Sequence, residues 1–348
     1  MRAFIGKDGG FSLAELLVAL VVAMVLIIGV ASGYIVNKRS YEEETGIRDM
    51  QMNAQVAMAA VKELIMSAGL GSNDNFPPLG TDTLQGAFRS ASRVLTATNR
   101  ADGPDTVMVV TARRPLPKAT AVCDCQNQEP PTCQYCEGNL IDIVEAGDFD
   151  TGLRRYIFFG PSVDNRYLTV SALSGSQVTL SEPLRWNNGD QVFRVSAFTI
   201  TLDRTPDGSR IDVDGDGKTS DGDGDDIPDL YICDNTADLE QEADCKVAQG
   251  IEDIQFQYCT ACRDANDDGT IDEDQWVDDP AGSEDDVRAV RIWILAKTLL
   301  PDSGHTEQTD SIAVADHTID LSSSSDPLAV HFHRYLLVDT VLIRNRTF

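Results

Sequence analysis

From Leu16 to Val36 the chain runs for 21 residues without a charged side chain, and nothing else in it constrains the fold so tightly. A run of that length forms a helix able to cross a hydrocarbon core of about 30 Å. A cleaved signal peptide is the competing reading. Against it stand the brief preceding segment MRAFIGKDGG, an apolar run longer than a typical signal core, and no A-x-A-like site after it. The segment is therefore expected to be retained. One carboxylate, Glu15, sits at its mouth. An ionisable group near the centre of a membrane helix costs roughly 2.5–3.5 kcal/mol on insertion scales and tends to find a partner. Position alone leaves two readings for Glu15: a side chain snorkelling from the helix end, or one half of a functional ion pair.

Beyond Asn37, Lys38 and Arg39 the sequence turns polar, yet Ile47, Met50, Ala54, Ala57, Val61, Leu64 and Ala68 recur at spacings of three and four. That is one apolar stripe on a helix, suited to packing against a domain. Gly69 and Gly71 supply a stop, with Pro77 and Pro78 close behind. A single helix from Phe11 to Ala68 is expected, roughly 85 Å long at 1.5 Å per residue.

The stretch Gly9–Gly10 followed by FSLAELLVAL resembles the class III signal of type IV prepilins and type II secretion pseudopilins. In that family a short basic leader ends in Gly, an aromatic residue follows, and a Glu stands five positions into the mature chain; here these are Gly10, Phe11 and Glu15. The resemblance implies cleavage after Gly10 by a membrane aspartyl prepilin peptidase and methylation of the new amino terminus at Phe11. It also implies that Glu15 pairs with the terminal amine of a neighbouring subunit during assembly. Arg2 and Lys7 in the leader agree with a cytoplasmic amino terminus. A single-pass protein of the bacterial inner membrane is then expected, with its remainder in the periplasm or on a fibre. Its partners would be other minor and major pilins, the peptidase and inner-membrane lipid.

Strand-like runs follow at 105–112, 153–160, 166–173, 177–181, 190–203, 251–259, 287–298 and 333–347. They are alternating, β-branched and bounded by turn residues, which predicts a mainly antiparallel sheet. The fold class is α+β, with the helix laid across the sheet. The pair VRAVRIWILAKT and LLVDTVLIRNR, the latter closing on Arg344, Asn345 and Arg346, resembles the last strands of PilW-type minor pilins. Together with a length well above that of a major pilin, this implies a minor subunit of a type IV pilus, acting in initiation or at the tip. The alternative that the same resemblance leaves open is a type II secretion pseudopilin, for which the J type is a near relative. The expected organisation is a leader at 1–10, a membrane half of the helix at 11–36, an amphipathic half at 37–68 and a β-rich domain at 69–348.

The formal charge of −28 argues against a nucleic-acid partner, since phosphate neutralisation needs clustered Lys and Arg. The acid is concentrated: residues 203–286 hold 28 of the 56 acidic residues and five basic ones. Read as an insertion, this span has the look of a calcium site. Asp212, Asp214 and Asp216 alternate, with Gly217 next, and Asp221, Asp223, Asp225 and Asp229 repeat the style, resembling thrombospondin type 3 repeats. Asp264, Asn266, Asp268, the Thr270 carbonyl and Asp272 resemble an EF-hand loop, although Gln275 stands where the bidentate Glu belongs, leaving Glu273 or Asp274 to serve. Carboxylates so spaced converge on calcium, a hard cation that takes oxygen ligands. A calcium-dependent tip adhesin is the functional alternative.

Eight cysteines form two groups: Cys123, Cys125, Cys133 and Cys136, then Cys233, Cys245, Cys259 and Cys262. An even count in an oxidising compartment predicts disulfides, of unspecified pairing. A four-thiolate zinc site at 123–136 and a redox pair at Cys259 and Cys262 remain alternatives. His331 and His333 are expected on one face of a strand. No nucleophile, base and orienting group assemble, so an enzyme is not expected.

Overall fold

The computed structural model describes residues 13–69, 95–100, 103–113, 120–122, 136–144, 155–159, 168–187, 191–202, 228–234, 245–262, 271–283, 286–302, 304–307, 309–321 and 329–343. The chain divides into two units, Met1–Asp49 and Met50–Phe348. Helix α1 (Leu13–Met66, 54 residues) begins in the first. Within Leu16–Val36 all fifteen Leu, Val, Ile, Met and Tyr side chains are exposed. Each is worth about 1.5–3 kcal/mol when removed from water, so tens of kcal/mol await a bilayer or other apolar helices. By length and composition this helix can cross a membrane.

In the second unit the stripe behaves as its spacing predicts: Met50, Ala54, Ala57, Val61, Leu64 and Ala68 are buried, and Met58 and Ile65 widen it. Gly69 ends the helical segment with φ of 67°, a left-handed conformation that glycine adopts at little cost. Its N–H donates to the Val110 carbonyl (2.9 Å).

The strands are β1 (Leu95–Thr98), β2 (Thr106–Arg113), β3 (Thr120–Val122), β4 (Cys136–Val144), β5 (Arg155–Phe159), β6 (Leu168–Ser174), β7 (Gln177–Trp186) and β8 (Gln191–Leu202). After them come β9 (Asp229–Asp234), β10 (Lys246–Gln249), β11 (Ile251–Cys259), β12 (Trp276–Val277), β13 (Ala289–Lys297), β14 (Ser311–Val314), β15 (His317–Asp320) and β16 (Arg334–Leu342). All the described pairings are antiparallel, as expected, but they make more than one sheet.

Strand β8 is the hub of the largest, a ten-stranded sheet. On one edge it pairs β2 from Arg194 to Ile200 and meets β3 at Gln191. On the other it pairs β5 from Gln191 to Val195, then β9 from Phe198 to Leu202. The order β8-β3-β4-β7-β6-β5 thus returns to β8 and closes a ring, which leaves those strands without free edges. A four-stranded sheet follows in the order β12-β11-β13-β16, and β14 and β15 form a separate hairpin.

The second half of α1 touches both larger sheets. Asn53 donates to the Gln249 carbonyl of β10 (3.2 Å), and Lys62 reaches Asp339 of β16 (2.5 Å). The hairpin lies on the opposite face of the four-stranded sheet, where His317 meets Asp253 of β11. Covered on both faces, β11 is buried at seven of its nine positions and loses the alternation of a half-exposed strand. Between β10 and β11, Gly250 takes φ of 70°, and a Cβ there would lie 2.8 Å from the Lys297 carbonyl oxygen.

Candidate functional site

Gly10 and Phe11, the expected processing residues, lie outside the described residues, as does the side chain of Glu15, whose backbone belongs to the first turn of α1.

Of the expected calcium ligands, Asp212, Asp214, Asp216, Asp221, Asp223, Asp225, Asp264, Asn266, Asp268 and Thr270 lie outside the described residues. Asp229 is not in a loop: it opens β9, fully buried, and its carboxylate pairs with Lys246 of β10. Asp272 precedes a 3-10 turn at Glu273–Gln275, and its carbonyl accepts from the Gln275 N–H (3.1 Å). Glu273 is already engaged by Arg291 of β13 (2.7 Å), whose hydrogen bond lowers the carboxyl below its ordinary value. Arg291 also stacks over Trp276, 4.4 Å from the ring centroid. Among the described acids here, Asp274 stays exposed, with one oxygen accepting from the Gln275 amide.

The described cysteines are all disulfide-bonded. Cys233 and Cys245 join β9 to the start of β10, their Cα atoms 4.9 Å apart, and Cys259 joins Cys262 just past β11. Cys136 is buried in β4 and bonded too, so it offers no thiolate to the zinc alternative; Cys123, Cys125 and Cys133 lie outside the described residues. His331 and His333 are not on a strand. His331 closes a 3-10 turn and His333 stands just before β16, because the backbone there pairs with residues 298–307 instead of extending the sheet.

Sequence patterns did not point to the buried polar network between β2, β11 and the hairpin. Asp105, 2% exposed, accepts from the N–H groups of Arg100 (2.9 Å) and Phe256 (3.0 Å). Burial pushes its carboxyl from 3.8 up to about 7, against the pull of those two bonds, and Asp316 and Asp253 add to the rise. Asp253, also buried, accepts from His317 Nδ1 (2.7 Å) and from the Gln255 amide (3.1 Å), which donates as well to the Gly103 carbonyl. Asn99 holds Asp316 at the tip of the hairpin (3.1 Å). Nearby Tyr258 is held well above the ordinary tyrosine value, by burial first and then by Asp105 and Asp279. A second network pairs Arg334 of β16 with Glu252 of β11 through two bonds (2.6 and 3.0 Å), with side chains 4% and 9% exposed. The available signal was a charged residue inside an otherwise apolar strand, as in IEDIQFQYC and HRYLLVDT, which implies a partner across the fold. These groups order the domain; they form no nucleophile and base pair.

Comparison with protein families matches one family model, described as type IV pilus-assembly protein W, over residues 216–345. That span carries β9 to β16, including the four-stranded sheet and the hairpin. No curated protein and no solved structure matches the chain. A pilus-assembly family and an apolar helix of this length together point to membrane association and to partners in a pilin complex. The match over residues 216–345 supports a PilW-type protein with a part in type IV pilus assembly.

Proposed function

We propose that the chain is a minor pilin. It is made with a leader ending at Gly10, cut there by a prepilin peptidase, methylated at Phe11 and held across the inner membrane with its amino terminus in the cytoplasm. From there it enters the initiation or tip complex of a pilus, meeting other minor and major pilins through α1. The observation that carries this reading is the junction GG-FSLAE directly before a helix whose apolar side chains are bare from Leu16 to Val36. Lipid covers them before assembly and neighbouring helices afterwards. Glu15 is costly in either setting unless paired. Cleavage creates the missing partner, a positive amine at Phe11 of an adjacent subunit, and the pair fixes the axial register.

Intact-mass and peptide analysis of the mature protein tests the processing. The expected chain begins with N-methylated Phe11; one beginning at Met1, or cut beyond the apolar run, overturns the proposal. Glu15→Ala should be processed normally and fail to enter fibres. Deletion of the gene should abolish piliation; loss of secretion with piliation intact would move the chain to the pseudopilins.

Calcium binding belongs to the same proposal. It is supported by the spacing of Asp and Gly at 212–225 and 264–272. Chelator should lower the melting temperature of the full chain, and Asp264→Ala with Asp268→Ala should remove that sensitivity. Equal melting with and without chelator rules the ion out.

A further inference from the structure

The fold disposes of its sheet edges in two ways and leaves one exception. The ring closes on itself, and the strands at the other margins, β1, β10, β12 and both arms of the hairpin, have four residues or fewer. Closed or short edges keep unpaired backbone from recruiting another chain. Strand β16 is different. It is nine residues long and ends the four-stranded sheet, and among the described residues no strand pairs with its outer side.

Backbone bonds at its two ends fix which groups face out. Thr298 N–H donates to the His333 carbonyl and Ile343 N–H to that of Arg288, in register with the pairing from Arg334 to Leu342. Odd-numbered residues therefore turn their N–H and C=O toward β13, and Leu336, Val338, Thr340 and Leu342 turn theirs away from the sheet. The Thr340 N–H is met by the neighbouring Asp339 carboxylate (2.7 Å). The N–H groups of Leu336, Val338 and Leu342 have no partner among the described residues. Side chains at the four outward positions share one face and are exposed; for Leu336, Val338 and Leu342 the exposure is 36%, 41% and 47%. Asp339, a charge that could guard such an edge, lies on the other face, where Lys62 of α1 neutralises it.

We propose that the outer edge of β16 takes up a strand from the globular domain of a neighbouring pilin subunit, extending the four-stranded sheet to five. Backbone bonds hold the added strand, and Leu336, Val338 and Leu342 select one that is apolar and uncharged at the facing positions. A second copy of this chain is the poorer occupant, because two chains of formal charge −28 repel each other. The inference rests on the pilin reading, in which the bare apolar run of α1 places other subunits beside this one.

The test uses the full chain in the membranes of the cells that make it, with photoreactive p-benzoylphenylalanine replacing Val338 and, in a parallel chain, Val25 of the apolar run. Irradiation should join position 338 to another pilin subunit, with the crosslinked peptide in a strand of its globular domain. Pilin adducts at 25 with none at 338 overturn the edge and leave the pilin reading standing, as do adducts at 338 with a second copy or with pilin loops alone. No pilin adduct at either position overturns both. A second variant separates backbone from side chain. Val338→Pro removes an outward N–H and no ladder bond, which an edge strand tolerates, so the melting temperature should hold, whereas Leu337→Pro should lower it. With the photoreactive group moved to Leu336, Val338→Pro should cut the adduct on the order of tenfold, the scale of about one lost interchain bond. An undiminished adduct in the folded proline variant also overturns strand addition.

Discussion

Replacing Asp105 by Asn should remove a loss of stability that sets in as pH rises, and so make the variant the more stable protein on the alkaline side. Both Asp105 oxygens accept backbone N–H groups, and burial lifts the carboxyl from 3.8 to about 7. Because the folded value lies above the unfolded one, the stabilising contribution is complete only below the unfolded value, where both states hold the proton. It is lost as pH climbs toward the folded value, since the unfolded chain ionises first. At 1.36 kcal/mol per unit, the rise corresponds to about 4 kcal/mol lost between roughly pH 4 and pH 7, with no further loss above. Asn does not ionise, but its NH₂ faces one of the two N–H groups, and that lost bond costs about 1–2 kcal/mol at any pH. The two stability curves should therefore cross near pH 5, and at about pH 8 the variant should be more stable by roughly 2–3 kcal/mol. Urea unfolding of both full chains in one detergent, followed by tryptophan fluorescence across this range, measures the difference and cancels the other carboxylates. A gap that stays constant with pH, or that widens against Asn on the alkaline side, refutes a buried carboxyl kept neutral.

Gly250→Ala should cost at least about 2 kcal/mol in the same unfolding assay, since a left-handed residue must also push its Cβ against the Lys297 carbonyl; a loss below a few tenths refutes the contact. Glu252→Gln should cost about 3–5 kcal/mol by stranding Arg334, while Glu252→Met with Arg334→Met should recover most of it, a comparison that separates lost pairing from lost packing. Cys233→Ala with Cys245→Ala should lower stability by about 2–4 kcal/mol, read as a shift in the urea midpoint, and reductant, which opens the other disulfides as well, should lower the wild type at least as far. Ala315, at φ of 53° in the hairpin turn, should gain up to about 1 kcal/mol on replacement by Gly, and a lower melting temperature for the variant would contradict the strain.

The helix and most long strands were legible because their periodicity is strong. Residues 251–259 form β11 with the expected limits, and the stripe from Met50 to Ala68 is buried as its spacing predicts. Strand β4 escaped notice because CEGNLIDIV mixes polar residues with Gly138, where the register with β7 shifts by a bulge. The hairpin escaped because its strands have four residues each and its turn is Ala315–Asp316, not the Asn-Gly that advertises such a turn. Strands β9 and β10 were hidden inside an acidic span that looks like an insertion, although Leu230, Tyr231 and Ala248 are core residues. The polar networks were illegible for a different reason: Asp105 and Phe256, or Glu252 and Arg334, are far apart in sequence, and no local pattern encodes their meeting.

Charge is handled in two ways along this chain, and the difference bears on the proposed calcium. Where acid enters the folded core it has a partner: Asp229 has Lys246, Glu252 has Arg334, and Asp253 has His317. Within residues 203–286 such partners are soon exhausted, since five basic residues stand against 28 acidic ones and Lys246 is already taken. Carboxylates two residues apart, as at Asp212, Asp214 and Asp216, lie about 7 Å from one another along an extended chain. The screening length at physiological salt is about 8 Å, so sodium removes only about half of that repulsion, whereas a directly ligated divalent ion removes it. The stabilisation by calcium should therefore persist in physiological salt and be only partly replaced by molar sodium chloride. Sodium replacing calcium completely at equal ionic strength would instead mark the span as a screened, solvated surface.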